Sequence, residues 1–133
     1  MSSSTGKPFT KISESRISES IVLSCTKVNK YGKLIIDIRE LVETSPDTQL
    51  FSKYGITFSY SNVTDLVPFL ENQLTPTAQS VQLLTCGDGT VFNFIQLNDE
   101  FSMLTVKNSM QFGSCFYLND DDLKTLISRL KNI

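Results

Sequence analysis

The chain has no histidine and no tryptophan, and its 133 residues include only three cysteines, four prolines and six glycines. Without histidine there is no His-based catalytic triad, no His-ligated zinc and none of the side chains that most often shuttle protons near neutral pH. The cysteines, Cys25, Cys86 and Cys115, stand far apart. They fall short of the four thiolates of a Cys-only zinc site and form no Cys-x-x-Cys pair. Such a set reads as reduced thiols of an intracellular protein. No apolar run approaches the roughly 20 residues of a spanning helix, and the first residues lack the basic-then-apolar order of a signal peptide. The expectation is a protein that is not an enzyme, with no cofactor, no metal and no membrane partner.

What is present suits a folded domain. Apolar residues make up 40% and charged residues 20%, too apolar for a disordered chain and enough for one core at this length. Residues 1–16 are Ser-rich and nearly free of apolar groups, which predicts a flexible, solubilising tail, with phosphorylation of the Ser-Glu-Ser pieces at Ser13–Ser15 and Ser18–Ser20 as the competing reading. Order is expected from residue 17.

Ile21, Leu23 and Cys25 alternate with polar residues, the period of a half-buried strand. Asn29-Lys30-Tyr31-Gly32 supplies turn chemistry. Over 33–43, Leu34, Ile36 and Ile38 share one face, and Lys33, Asp37 and Arg39 the other. A third strand over 49–60 sets Leu50, Tyr54, Ile56 and Phe58 opposite Phe51, Lys53, Thr57 and Ser59. A helix follows with Thr64 or Asp65 as N-cap, Pro68 in its first turn and an apolar stripe of Leu66, Phe69, Leu70 and Leu74.

After a linker at 74–80 the order returns. Strands are expected over 81–85 and 90–97, joined through Cys86-Gly-Asp-Gly89, and then over 101–107 and 110–118. Asn119 caps a final helix with Asp120, Asp121 and Asp122 in its first turn and Leu123, Leu126, Ile127 and Leu130 at helical spacing. The fold class is therefore α+β, a single domain over 17–133 built from two strands-then-helix repeats, 17–74 and 80–133. They are expected to pack as an intrachain pseudo-dimer, because one repeat alone cannot cover its own sheet.

Residues 1–72 carry 8 basic and 8 acidic groups, and 73–133 carry 4 and 6. A duplex binder shows a strongly basic balance, so any nucleic-acid site must be local and must lie in the first repeat. Lys27, Lys30, Lys33 and Arg39 crowd one hairpin with Tyr31 beside its glycine, and Lys53 and Phe51 stand on the next strand. Cations that follow phosphates beside aromatic rings that stack on bases are the chemistry of single-strand binding. An ordinary solvated sheet face is the competing reading.

The block Gly32-Lys-Leu-Ile-Ile-Asp-Ile-Arg-Glu40 resembles the central strand of the transcriptional coactivator positive cofactor four. The likeness continues more loosely through Lys53-Tyr-Gly-Ile-Thr-Phe58 and covers roughly residues 20–74. Whirly proteins, which are related, carry two such units in one chain. The resemblance implies strands followed by a helix, dimerisation through the helix side and binding of single-stranded or melted DNA on the sheets. It places Lys33 and Arg39, and more loosely Lys53, at backbone-contacting positions. The family's aromatic before the glycine turn is Lys30 here, and its tryptophan is Val42. Tyr31 and Phe51 are the aromatics left to stack.

The resulting expectation is a non-catalytic protein of transcription or replication that binds single-stranded DNA or RNA, is open to homo-oligomerisation, and is nuclear if the source is eukaryotic. An interaction or assembly module that keeps the fold but has lost most nucleic-acid affinity is the alternative.

Overall fold

The structure is a computed structural model that describes residues 8–45, 48–74, 81–108 and 115–133, with the backbone alone at 42–45 and 48–54. Two four-stranded antiparallel sheets are each followed by a helix. Sheet one takes β1 (Phe9–Arg16), β2 (Ile21–Val28), β3 (Lys33–Ser45) and β4 (Thr48–Ser59), in that spatial order, then a 3-10 turn (Tyr60–Asn62) and α1 (Val63–Gln73). Sheet two takes β5 (Val81–Thr85), β6 (Val91–Gln96), β7 (Ser102–Lys107) and β8 (Cys115–Leu118), then α2 (Asp120–Lys131). Consecutive strands pair within each sheet, so each half is a meander closed by a helix.

Strand parity decides which residues enter the core. In β2 and β3, Leu23 faces Ile38 across the ladder and Cys25 faces Ile36, and all four are buried. Ile56 and Phe58 extend that face on β4. Phe92, Leu104, Phe116 and Leu118 do the same in sheet two. Leu66 and Leu70 of α1 and Leu123, Leu126, Ile127 and Leu130 of α2 complete one continuous apolar cluster.

The halves meet along several lines. The helices pack on each other, and β4 packs on β7 and β8. Phe58 meets Phe92 edge to face at 5.1 Å between ring centroids. Asn108 Nδ2 donates to the Thr57 carbonyl at 2.9 Å, and Lys131 pairs with Glu71 at 3.0 Å.

Two expectations are corrected. Part of the stretch read as a tail is strand: β1 covers Phe9–Arg16 and pairs antiparallel with β2. It is an edge strand exposed along almost its whole length, held by backbone hydrogen bonds that need little apolar side-chain burial. Second, α1 begins at Val63 after Asn62, so Pro68 lies inside the helix rather than in its first turn. The preceding 3-10 turn starts the winding early. The eighth strand is described from Cys115, and the earlier part of the expected 110–118 stretch lies outside the described residues. The C-terminal helix is as expected: Asn119 accepts from the Asp122 backbone N–H while the Asp122 side chain accepts from the Asn119 N–H, a closed capping box.

Candidate nucleic-acid interface

The β2–β3 hairpin closes over Val28-Asn29-Lys30-Tyr31-Gly32, with Gly32 N–H donating to the Val28 carbonyl at 2.8 Å. Gly32 adopts φ +66°, a conformation that glycine reaches without a Cβ penalty. The neighbouring chain buttresses this turn: Asn29 N–H donates to the Pro8 carbonyl, and the Thr10 hydroxyl donates to Asn29 Oδ1 at 2.9 Å.

Three lysines surround the hairpin end. Lys27 and Lys33 are both exposed, Lys27 at the inward parity of Leu34 and Lys33 at the outward parity of Val28. Lys30 lies between them, its ammonium 5.4 Å from the centroid of the Tyr31 ring, within cation–π reach. Tyr31 is 74% exposed, so the ring keeps an accessible face. None of the three lysines makes an ion pair among the described residues.

Arg39 has a different setting. It shares the outward parity of Lys33 but lies six residues along the strand, about 20 Å away. Its Nη2 donates to Asp37 Oδ1 at 2.7 Å, and that oxygen also accepts from the Thr57 hydroxyl at 2.7 Å. The Arg39 side chain is only 13% exposed. Gly55 stands opposite it in the ladder, and the guanidinium lies against that glycine: a Cβ there would come within 2.8 Å of Arg39 Cζ and 2.4 Å of the Ile38 carbonyl oxygen. Arg39 therefore knits β3 to β4, and its charge is largely spent on Asp37.

This geometry carries a stability prediction. Gly55→Ala should lose about 1–3 kcal/mol, because the added methyl meets backbone as well as side chain and must displace both. Urea unfolding monitored by circular dichroism reads the loss. An unchanged midpoint would mean that the strand opens there without cost.

The Lys53 and Phe51 side chains lie outside the described part of the structure. Their backbone is in β4, where Phe51 registers with Leu41 and Lys53 falls in the stretch where the β3–β4 register shifts. The sheet-one face on the side of Lys33 also includes Lys11, Glu14 and Arg16 of β1, which sequence reading placed in a tail. Lys11 pairs with Glu14, and Arg16 donates to the Glu19 carbonyl. Ser24, Thr26, Thr57 and Ser59 supply hydroxyls on the same parity.

Sheet two contrasts sharply on its corresponding face. Val81, Leu83 and Tyr117 are exposed there, with Val91, Ile95 and Met103 half-buried beside them, and Lys107 is its one charge among the described residues.

Among the described residues, clefts form between the halves. One, of about 570 Å³, is lined by Lys33 and Ser59 from the first half and by Asp88–Val91, Lys107 and Asn108 from the second. Another, about 480 Å³, holds Glu19, Glu40 and Asp122 with the half-exposed rings of Phe101 and Tyr117. Strand β3 runs from the basic cleft at Lys33 to the acidic one at Glu40. The Asp88 carboxyl is held below its ordinary value chiefly by the Thr90 backbone N–H, with Asn62 adding a side-chain hydrogen bond.

The thiols have no comparable setting. Burial raises Cys25, and burial with the nearby charges of Asp65 and Asp88 raises Cys86, the reverse of an activated nucleophile. Among the described residues no three Cys, Asp or Glu side chains converge to hold a metal ion, and no helix is long and apolar enough to cross a membrane.

Sequence reading missed Lys107, Asn108 and Asp88 because their meeting with Lys33 depends on how the halves pack. Compared with known proteins, the chain matches no family model and no curated protein sequence.

Proposed function

We propose that this chain is a non-catalytic single-stranded nucleic-acid-binding protein, with DNA as its strand, acting in transcription or replication. Its two halves are read as an intrachain pseudo-dimer of the kind found in positive cofactor four and Whirly proteins. The observation that carries the reading is the β2–β3 hairpin end, where Lys27, Lys30 and Lys33 stand without acidic partners among the described residues, beside a Tyr31 ring that is 74% exposed.

Ammonium groups without partners can replace the counterions of a phosphate chain, and an open ring can stack on an unpaired base. The outward face of sheet one continues from Lys33 with hydroxyls and an Arg39 already oriented by Asp37. In this arrangement the lysines are the mobile phosphate contacts. Arg39 meets a strand as a fixed, half-neutralised donor.

Fluorescence anisotropy of a labelled single-stranded oligonucleotide tests the reading. Three lysine–phosphate contacts predict that a fourfold rise in salt weakens binding about 20-fold. Absence of binding at low salt would remove the proposal.

One observation favours a second reading, an interaction or assembly module: the outer surface of sheet two, which carries Lys107 as its one charge among the described residues, with Val81 and Leu83 exposed on its edge strand. Apolar surface of this kind marks contact sites. Concentration-dependent self-association in light scattering, together with failure to bind the oligonucleotide, would favour that reading over the first.

A further inference from the structure

The basic cleft between the halves joins Lys33, which the single-strand reading already uses, to Lys107 and Ser59, which it does not. Lys33, the first residue of β3, and Lys107, the last of β7, both line it, both are exposed, and neither makes an ion pair among the described residues. The acid in the same cleft, Asp88, is already engaged: one oxygen accepts from Thr90 N–H at 3.0 Å and the other from Asn62 Nδ2 at 3.1 Å. These neutral donors fix the carboxylate in the β5–β6 turn, where it keeps its charge, and among the described residues neither ammonium group is paired with it. Ser59 is 7% exposed, lines the cleft, and its hydroxyl makes no hydrogen bond among the described residues. Asn108 fixes the wall by donating to the Thr57 carbonyl across the junction.

A concave space with two lysines from different halves and a sheltered, unpartnered hydroxyl suits a compact oxyanion. We infer that this cleft is a phosphate site, in which Lys33 and Lys107 approach one phosphate group from opposite halves and Ser59 donates to it. The space, about 570 Å³, is large enough for a phosphate that carries a nucleoside. Two sources share this chemistry: a free phosphate or mononucleotide, and the terminal phosphate of a strand. The site needs both halves in place, so occupancy also clamps them together.

NMR titration of the full chain with inorganic phosphate, then a nucleoside monophosphate, tests this directly. Amide shifts are expected at Gly89, Thr90 and Lys107. Lys107→Ala should weaken the affinity about tenfold, the scale of one charge-assisted hydrogen bond. Lys107→Arg should retain most of it, and Lys124→Ala on α2 should leave it unchanged.

Oligonucleotides with and without a 5′-phosphate separate the sources: a preference for the phosphorylated end that Lys107→Ala abolishes assigns the site to strand ends. Equal affinity for both, with binding of the small phosphates, assigns it to free phosphate. No shift at these amides up to tens of millimolar phosphate, or equal loss in Lys124→Ala, would overturn the inference. Because Lys107 lies outside the hairpin end, oligonucleotide binding that survives Lys107→Ala leaves the single-strand reading standing whatever happens to the cleft.

Discussion

Replacing Lys27, Lys30 and Lys33 together by alanine is expected to weaken single-stranded oligonucleotide binding at least about tenfold at low salt. It should also flatten the salt dependence by about two log units per decade, since each lost phosphate contact removes roughly 0.7 from the slope on a single strand. Each of the three is a hairpin-end residue without a salt bridge among the described residues, so stability should change by less than about 0.5 kcal/mol. That separation is the value of the triple variant. Substituting Arg39 instead would leave Asp37 without its cation and open the space over Gly55, so lost binding there would be entangled with lost stability. A triple variant that binds as well as the parent, with an unchanged slope, would move the interface away from the hairpin.

The second large effect concerns the joint between the halves. Phe58→Ala should lose about 3–5 kcal/mol, the range for emptying a fully buried phenylalanine site. It should lower the melting temperature by about 10–20 °C for a chain of this size. Phe58 is 0% exposed and meets Phe92 edge to face across the two sheets, so the cavity opens in the shared core rather than within one half. Calorimetry should still show a single transition, because α1, α2 and both sheets contribute to one apolar cluster. A loss under 1 kcal/mol, or two separate transitions, would mean that the halves are independent units.

These two predictions draw on different depths of legibility. The inward face of β3 was readable from the alternation of Leu34, Ile36 and Ile38, and α2 from Asn119 and its leucine spacing, because both depend on local period and capping. Strand β1 was not readable. Six of its eight residues are polar, its Phe9 and Ile12 are exposed, and an edge strand is held by backbone hydrogen bonds that leave no hydrophobic signature. The start of α1 was misjudged because the 3-10 turn at Tyr60–Asn62 begins the winding without a side-chain cap.

At the site, the sequence brought Lys27, Lys30, Tyr31 and Lys33 together correctly as neighbours on one hairpin, which is a matter of adjacency. It also gave Asp37 and Arg39 a common face. What it left open was register: only the pairing of Asp37 with Thr57 and of Arg39 with Gly55 turns that arginine from an open cation into a held one. The meeting of Lys33 with Lys107 lies deeper still, since it depends on how two separate sheets dock.

The two sheets divide the surface chemistry. Sheet one is charged and rich in hydroxyls on its outward side, and sheet two is nearly uncharged there. In a symmetric two-site arrangement the second half would repeat the basic hairpin. Instead, its equivalent turn between β6 and β7 carries Asp99 and Glu100. A single working face on the first half is what this asymmetry predicts.

Mapping amide chemical shifts of the full chain on addition of a single-stranded oligonucleotide tests that claim most directly. The account predicts perturbations concentrated at 27–33 and fading along the outward residues of β3, with β5 and β6 silent on their outer face. Shifts centred on the outward side of sheet two, or none anywhere at low salt, would contradict it.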